Sequence, residues 1–365
     1  MKLVPIGIEN FKEMIDKHAY YVDKTNLIEN ILNEQSVFFT RPRRFRKTLN
    51  MSMLYYFFSI KEKENAYLFN GLNISKNKEA IKHQNQYPTL FITLKDMKNS
   101  SYEKQMNRFK EVICLCAKSH LELLNSERLL ASEKKLFQKY VDNETEDNEL
   151  EKSLFNISYF LYKHYHQKVI ILIDEYDVPL QAAYQYNYYD EMVEFLRSVF
   201  SSALKTNDAL EKGILAGCLR ISKESIFTGL NNFKAYSILY KSKNEYFGFT
   251  KKEILQLLKD YNLSDYVDEV KEWYDGYLFG NIEIYNPWST LMYVDCKLNS
   301  SDNKPISFWA NTSGNDLVVN YIQNGSDELH EEFEQLIQGK SLTKYIKPEL
   351  TYREMDNINN IYNSN

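Results

Sequence analysis

An α/β fold, a mainly parallel sheet covered by helices, is what this sequence predicts, and three observations predict it. Short apolar runs at 36–40 (SVFFT), 87–94 (YPTLFITL), 169–173 (VIILI) and 211–221 (EKGILAGCLRI) read as strands. Long stretches of helical spacing separate them, so neighbouring runs lie too far apart to pair as hairpins. The run Val169 to Ile173 is apolar at every position, as in a parallel strand buried on both faces.

The first strand runs directly into RPRRFRKT (41–48), after which Leu49, Met53, Tyr56, Phe57 and Ile60 fall at helical spacing. Strand, loop and helix in that order aim the free N–H groups and positive dipole end of a helix at the contents of the loop. Lys47 and Thr48 stand where the phosphate-binding pattern Gly-x-x-x-x-Gly-Lys-Thr has its last two residues. There the lysine reaches nucleotide phosphates and the threonine hydroxyl ligates magnesium. Of nine arginines in the chain, Arg41, Arg43, Arg44 and Arg46 fall within six residues, and their planar donor forks suit phosphate oxygens. The candidate cradle is therefore Arg41, Pro42, Arg43, Arg44, Phe45, Arg46, Lys47 and Thr48. The plainer alternative is a solvated patch of charge.

The strand at 169–173 leads into Asp174 and Glu175, at the carboxyl edge where open α/β sheets gather ligands. Asp174, with Thr48, is the expected magnesium ligand, and Glu175 is placed to orient or deprotonate an attacking water. A strand capped by solvated acids is the competing reading. Helical stretches are expected at 101–124, from about 129 to 141, at 146–165 and from Pro179 through Leu204. Past the strand that begins at 211, Arg220 is a candidate for stabilising charge on a transferring phosphoryl group, or equally for pairing with Glu224. Asn231 and Asn232 belong to the same segment.

From about 244 the pattern becomes helical. FTKKEILQLLKDY offers Thr250 as a cap with Glu253 three residues on, and DYVDEVKEWYDGY is a second amphipathic helix. The expected organisation is a core over 1–240 with an N-terminal extension, a mainly helical lid over 241–345, and the truncated start of a following region at 346–365. The aromatics Trp273, Tyr274, Tyr277, Trp288 and Trp309 are expected to pack rather than to stack on bases.

Composition excludes several classes. A net charge of −5 gives no global attraction to nucleic acid or an anionic membrane, so any polyanion site must be local. Cys114, Cys116, Cys218 and Cys296 form no C-x-x-C pair, which argues against a zinc site or a disulfide framework and fits reduced thiols in a cytoplasm. His164 and His166, two apart on an expected helix, do not share a face. The N-terminus lacks the apolar core of a signal peptide, and no run approaches the roughly 18 residues of a membrane span. A soluble, cytoplasmic protein without membrane contact is the expectation.

Six blocks, YYVDKTNLIENIL, FFTRPRRFRKTLNMSMLYYFF, VIILIDEYDVPL, GCLRISKESIFTGLNNF, WYDGYLFGNIEIYNPWS and FWANTSGNDLV, resemble in their order the AAA-ATPase-like family. In this mainly bacterial group an ATPase-like module is usually followed by a domain resembling PD-(D/E)XK nucleases. The resemblance runs from Met1 to about residue 325. It implies a P-loop NTPase core of the AAA or STAND kind, ATP and Mg2+ as ligands, Lys47 and Thr48 as Walker A residues, and Asp174 and Glu175 as the Walker B pair. The family's first loop position is normally arginine, so Arg41 conforms. Its usual Arg-Pro-Arg-Arg-Phe-Gly-Lys-Thr, however, has glycine where this chain has Arg46, at a point where the backbone must approach phosphates closely and a β-carbon crowds them. The expected function is ATP binding, with magnesium-dependent hydrolysis or a hydrolysis-impaired descendant of it. No Asp followed at suitable spacing by Glu-x-Lys occurs in a strand context after residue 300, so no nuclease activity is assigned. Two alternatives remain: a catalytically silent scaffold that binds a protein partner or a second copy of itself, and, by family analogy alone, a nucleic-acid-associated defence or mobile-element component.

Overall fold

The computed structural model describes residues 1–218, 233–299, 304–308 and 327–343. Two short helices, α1 (Phe11–Asp16) and α2 (Asn26–Leu32), come first. Asn10 caps α1 by accepting the Glu13 N–H, and Phe11, Met14, Leu27, Ile28 and Ile31 are buried, so the N-terminal extension packs into the core. β1 (Ser36–Thr40) has the predicted bounds and is buried at all five positions. The loop 41–46 leads it into α3 (Lys47–Phe58). α4 (Lys78–Ile81) and β2 (Thr89–Thr93) follow.

The helical stretch expected at 101–124 is α5 (Tyr102–Lys118), capped by Ser101 and burying Met106, Phe109, Ile113 and Ala117 along one face. It stops short because a 3-10 turn at Leu121–Asn125 takes over. α6 (Ala131–Asp142) agrees with expectation, whereas 146–165 breaks at Lys152 into α7 (Asp147–Glu151) and α8 (Ser153–Tyr165). β3 (Val169–Asp174), α9 (Val178–Gln185), α10 (Tyr189–Leu204), β4 (Leu210–Gly217) and β5 (Phe233–Tyr236) complete this part.

The five strands form one parallel sheet in the order β2-β3-β4-β1-β5. Helices cover both faces. Alternate residues of β3 feed opposite cores, Val169, Ile171 and Ile173 joining α5, α8 and α10, while Ile170 and Leu172 join α1, α2 and α3. In register, Thr40 faces Gly217 and Asp174 faces Ala216, so β1, β4 and β3 end level. The loop after β1 and the acids after β3 therefore emerge at one edge.

Beyond residue 240 the chain first returns to the sheet, where the Phe247 ring packs 5.0 Å from that of Phe39. It turns at Gly248 and enters β6 (Phe249–Thr250), α11 (Lys251–Asp260), α12 (Val267–Tyr274), β7 (Tyr277–Phe279), β8 (Ile282–Tyr285) and α13 (Pro287–Asn299), with α14 (Asp327–Ile337) further on. The expected cap at Thr250 is a reciprocal box with Glu253. What was expected to be mainly helical also contains an antiparallel sheet, β6-β8-β7. No helix among the described residues is long and apolar enough to cross a membrane.

Candidate functional site

A cleft of about 440 Å³ opens at the carboxyl edge of the parallel sheet. One wall is the loop and the start of α3, from Arg43 to Leu49. Glu175 and Val178 follow β3, Lys95 and Lys98 follow β2, and the remaining walls come from residues 5–9 and the start of α13. Five segments distant in sequence thus meet where parallel strands end.

Lys47 and Thr48 are the first two residues of α3. The Lys47 ammonium is almost wholly buried and donates to the carbonyls of Arg41 (3.2 Å) and Pro42 (3.3 Å) and to the Cys218 Sγ (3.2 Å). Glu175 Oε1 stands 3.9 Å away. Burial pulls the lysine pKa down, but Cys218, Glu175 and Asp177 outweigh it and the net shift is upward, so the charge is kept. Its direct partners are neutral acceptors at long distances, which an anionic oxygen can outcompete.

Asp174, the last residue of β3, is fully buried. Its Oδ1 accepts the Glu175 N–H at 3.1 Å, the Thr48 hydroxyl lies beside its carboxyl group, and its Oδ2 has no partner. Burial, reinforced by Glu175, pushes its pKa up to about 7. A hydroxyl and a buried carboxyl with an unsatisfied oxygen make a hard donor set, and magnesium, which takes a few protein oxygens and keeps several waters, fits it. Asp177, also buried, accepts the Cys218 N–H at 3.0 Å and is pushed to about 6 by burial and then by Glu175. Glu175, Asp177 and Cys218 offer ligand atoms within 4.8 Å of one another. In the metal-free protein burial raises the thiol to about 11, and all three groups also face the Lys47 ammonium.

The four arginines divide. Arg43 borders the cleft and donates to Gln181 Oε1 at 2.8 Å. Arg44 also borders it, its guanidinium 4.1 Å from the Trp288 ring centre. The Arg41 side chain, against its expected role in the cradle, is turned into the protein. It donates to the carbonyls of Thr40, Tyr236 and Lys243 and to Asn244 Oδ1, and lies over the Phe247 ring. Those acceptors lie 195 to 203 residues further on for three of its four bonds, which is why the loop sequence does not reveal them. Arg46 is the N-cap of α3 with φ 59° and ψ 32°, left-handed backbone. Its carbonyl still closes the first turn by accepting the Asn50 N–H, and its guanidinium lies 5.4 Å from the Phe249 ring centre. Burial lowers its pKa to about 10. Phe45 is buried against Tyr277, Phe279 and Ile284, pinning the loop to the small sheet.

Arg220, Glu224, Asn231, Asn232 and Trp309 lie outside the described residues. Sequence reasoning missed Lys95 and Lys98, although their place just past a predicted strand is a recognisable signal. It took Trp288 for a packing residue, and nothing local marks that side chain as part of the cleft. Residues 5–9 carried no signal either.

Residues 5–227 match the family model described as "Predicted AAA-ATPase". Among curated proteins, the chain is 25% identical over 295 residues to one from Azotobacter chroococcum mcd 1 described as "Uncharacterized protein in vnfD 5'region". That alignment covers 80% of this chain and 51% of the relative, so the chain spans about half the length of the curated protein it matches. No solved structure matches the chain.

Proposed function

Because the chain belongs to the AAA-ATPase-like family, we propose that its cleft binds ATP together with magnesium, and that it is an ATPase module in which Arg46 impairs hydrolysis. The observation that carries this reading is the meeting, at one sheet edge, of the buried Lys47 ammonium, the Thr48 hydroxyl and the Asp174 carboxyl beside it, whose Oδ2 lacks a partner. A strand, a loop and a helix N-terminus deliver the first two, and the acidic strand β3, separated from β1 by β4, delivers the third.

In this reading the triphosphate lies along the start of α3, where free N–H groups and the helix dipole favour anions. Lys47 exchanges its carbonyl partners for phosphate oxygens, and Arg43, Lys95 and Lys98 neutralise further charge from the rim. Thr48 and Asp174 hold the magnesium ion, which when bound neutralises and orients the phosphates. Glu175, half-buried and facing the cleft, accepts the proton of an attacking water. Arg220 remains a proposed electrophile for the transferring phosphoryl group. The Arg46 β-carbon occupies the place where glycine lets the backbone come closest to phosphate, which displaces the phosphates from the in-line position.

Calorimetry with ATP, with and without magnesium, tests the site. Lys47→Ala removes charge-assisted contacts worth roughly 1.5 to 3 kcal/mol, so ATP affinity is expected to fall about ten- to a hundredfold. A folded Lys47→Ala protein that binds ATP as tightly as the parent would remove the basis of the assignment. Absence of binding heat in the parent supports a silent scaffold instead.

A further inference from the structure

The cleft has a side that phosphate chemistry does not use. Trp288 is the one aromatic ring among the described residues that line it, and Pro5, Ile8, Pro287 and Leu291 extend that apolar wall. The indole is half-buried, and its Nε1–H is buried without a hydrogen-bond partner, so packing alone and the Arg44 guanidinium fix the ring. At 4.1 Å from the ring centre, that guanidinium shows that the Trp288 face accepts a flat partner arriving from the loop. Arg44 reaches it from left-handed backbone, φ 68°, a conformation that an arginine holds only under constraint. A purine is likewise flat, and a base that takes this face frees the Arg44 fork.

We propose that Trp288 is the stacking platform for the base of a purine nucleoside triphosphate, with Arg44 displaced from the ring as the base arrives. This deepens the nucleotide reading above and rests on it. It also means that the base side of the site is completed by α13, outside the span 5–227 that the family match covers. The phosphate side and the base side then belong to different parts of the chain, and the nucleotide bridges them.

The two sides can be separated by comparing ATP with inorganic tripolyphosphate in calorimetry. Base stacking on an aromatic residue is worth enough that Trp288→Leu is expected to weaken ATP about tenfold or more while tripolyphosphate stays within about twofold of the parent. Trp288→Phe keeps a ring and is expected to hold ATP within about threefold, which guards against a mere packing defect. The intrinsic fluorescence of the parent should change on adding ATP and not tripolyphosphate, and Trp288→Phe should abolish that change. If Trp288→Leu leaves ATP affinity unaltered, or weakens both ligands equally, the platform is wrong even though Lys47→Ala weakens both. If Lys47→Ala weakens neither, the phosphate site itself fails and the platform falls with it.

Discussion

Among the described residues, only four that are neither glycine, asparagine nor histidine hold positive φ: Arg44, Arg46, Glu175 and Lys243. Three of them line the cleft, and the fourth supplies a carbonyl to Arg41 beneath the loop. Strain of this kind costs on the order of 1 to 3 kcal/mol per residue and persists only where the surroundings enforce it. Arg46 is the case with a simple remedy. Arg46→Gly removes both the left-handed penalty and the β-carbon, and is expected to raise ATP turnover by up to about a hundredfold, the scale of a misplacement of about 1 Å. Lys47→Ala on that background should abolish the gain, while equal turnover by the arginine and glycine proteins would mean that the loop already clears the phosphates. Glu175→Gln should leave ATP bound and slow hydrolysis by about 10²- to 10⁴-fold, and undiminished turnover would make Glu175 a surface acid. Asp174→Ala should instead weaken the magnesium dependence of binding. Lys47, Thr48, Asp174 and Glu175 were legible in the sequence because local rules place them, at the start of a helix or the end of a strand. The misfit at Arg46 was legible for the same reason, but not the course of its side chain, since Phe249 is met only through the tertiary fold.

At the level of elements, the loop is clamped from behind. Phe45 sits between the rings of Tyr277 and Phe279, and Gly248 approaches it so closely that an added Cβ would lie 3.0 Å from the Phe45 ring and 3.2 Å from the Tyr285 carbonyl, besides overlapping Ile284. With φ 91°, Gly248 is also in a region unfavourable to any side chain. Gly248→Ala is therefore expected to destabilise by about 1 to 3 kcal/mol and, by pushing Phe45, to weaken ATP binding as well. Thermal melting and calorimetry on the same variant decide the matter: a lower melting temperature with unchanged ATP affinity would mean that the small sheet supports the fold without positioning the loop. Four of the five parallel strands were legible because continuous apolar burial leaves a strong pattern, as in Val169–Asp174, whereas β5, four residues long and only partly buried, was not. The antiparallel strands were not, because β6, β7 and β8 are two to four residues long and alternate too briefly for a period-2 signal. The break at Lys152 escaped for a different reason, since neither proline nor glycine marks it.

Across the whole molecule, the boundary expected at 240 cuts through interactions that hold the loop. Residues 1–240 retain Arg41 but lose the Lys243 carbonyl and Asn244 Oδ1 that accept from its buried guanidinium. Hydrogen bonds to a charged group are worth about 1.5 to 3 kcal/mol each. The same cut removes Phe247 from against Phe39, a loss comparable to the roughly 3 to 5 kcal/mol of truncating a core phenylalanine. It also releases the N-terminal extension, which is tied to the C-terminal part by Lys24 on Glu253 (2.6 Å), Tyr20 on Asp260 (2.7 Å) and Tyr261 on the Lys2 carbonyl (3.0 Å). Summed, these terms are comparable to the entire stability of about 5 to 15 kcal/mol expected of a domain. A fragment of residues 1–240 should therefore melt without a cooperative transition, whereas residues 1–299, which keep β6 through α13, should melt cooperatively and retain ATP binding. A cooperative melt of the shorter fragment at the parent temperature would establish the parallel-sheet part as an independent domain, and the C-terminal part would then be an appendage rather than the second half of the nucleotide site.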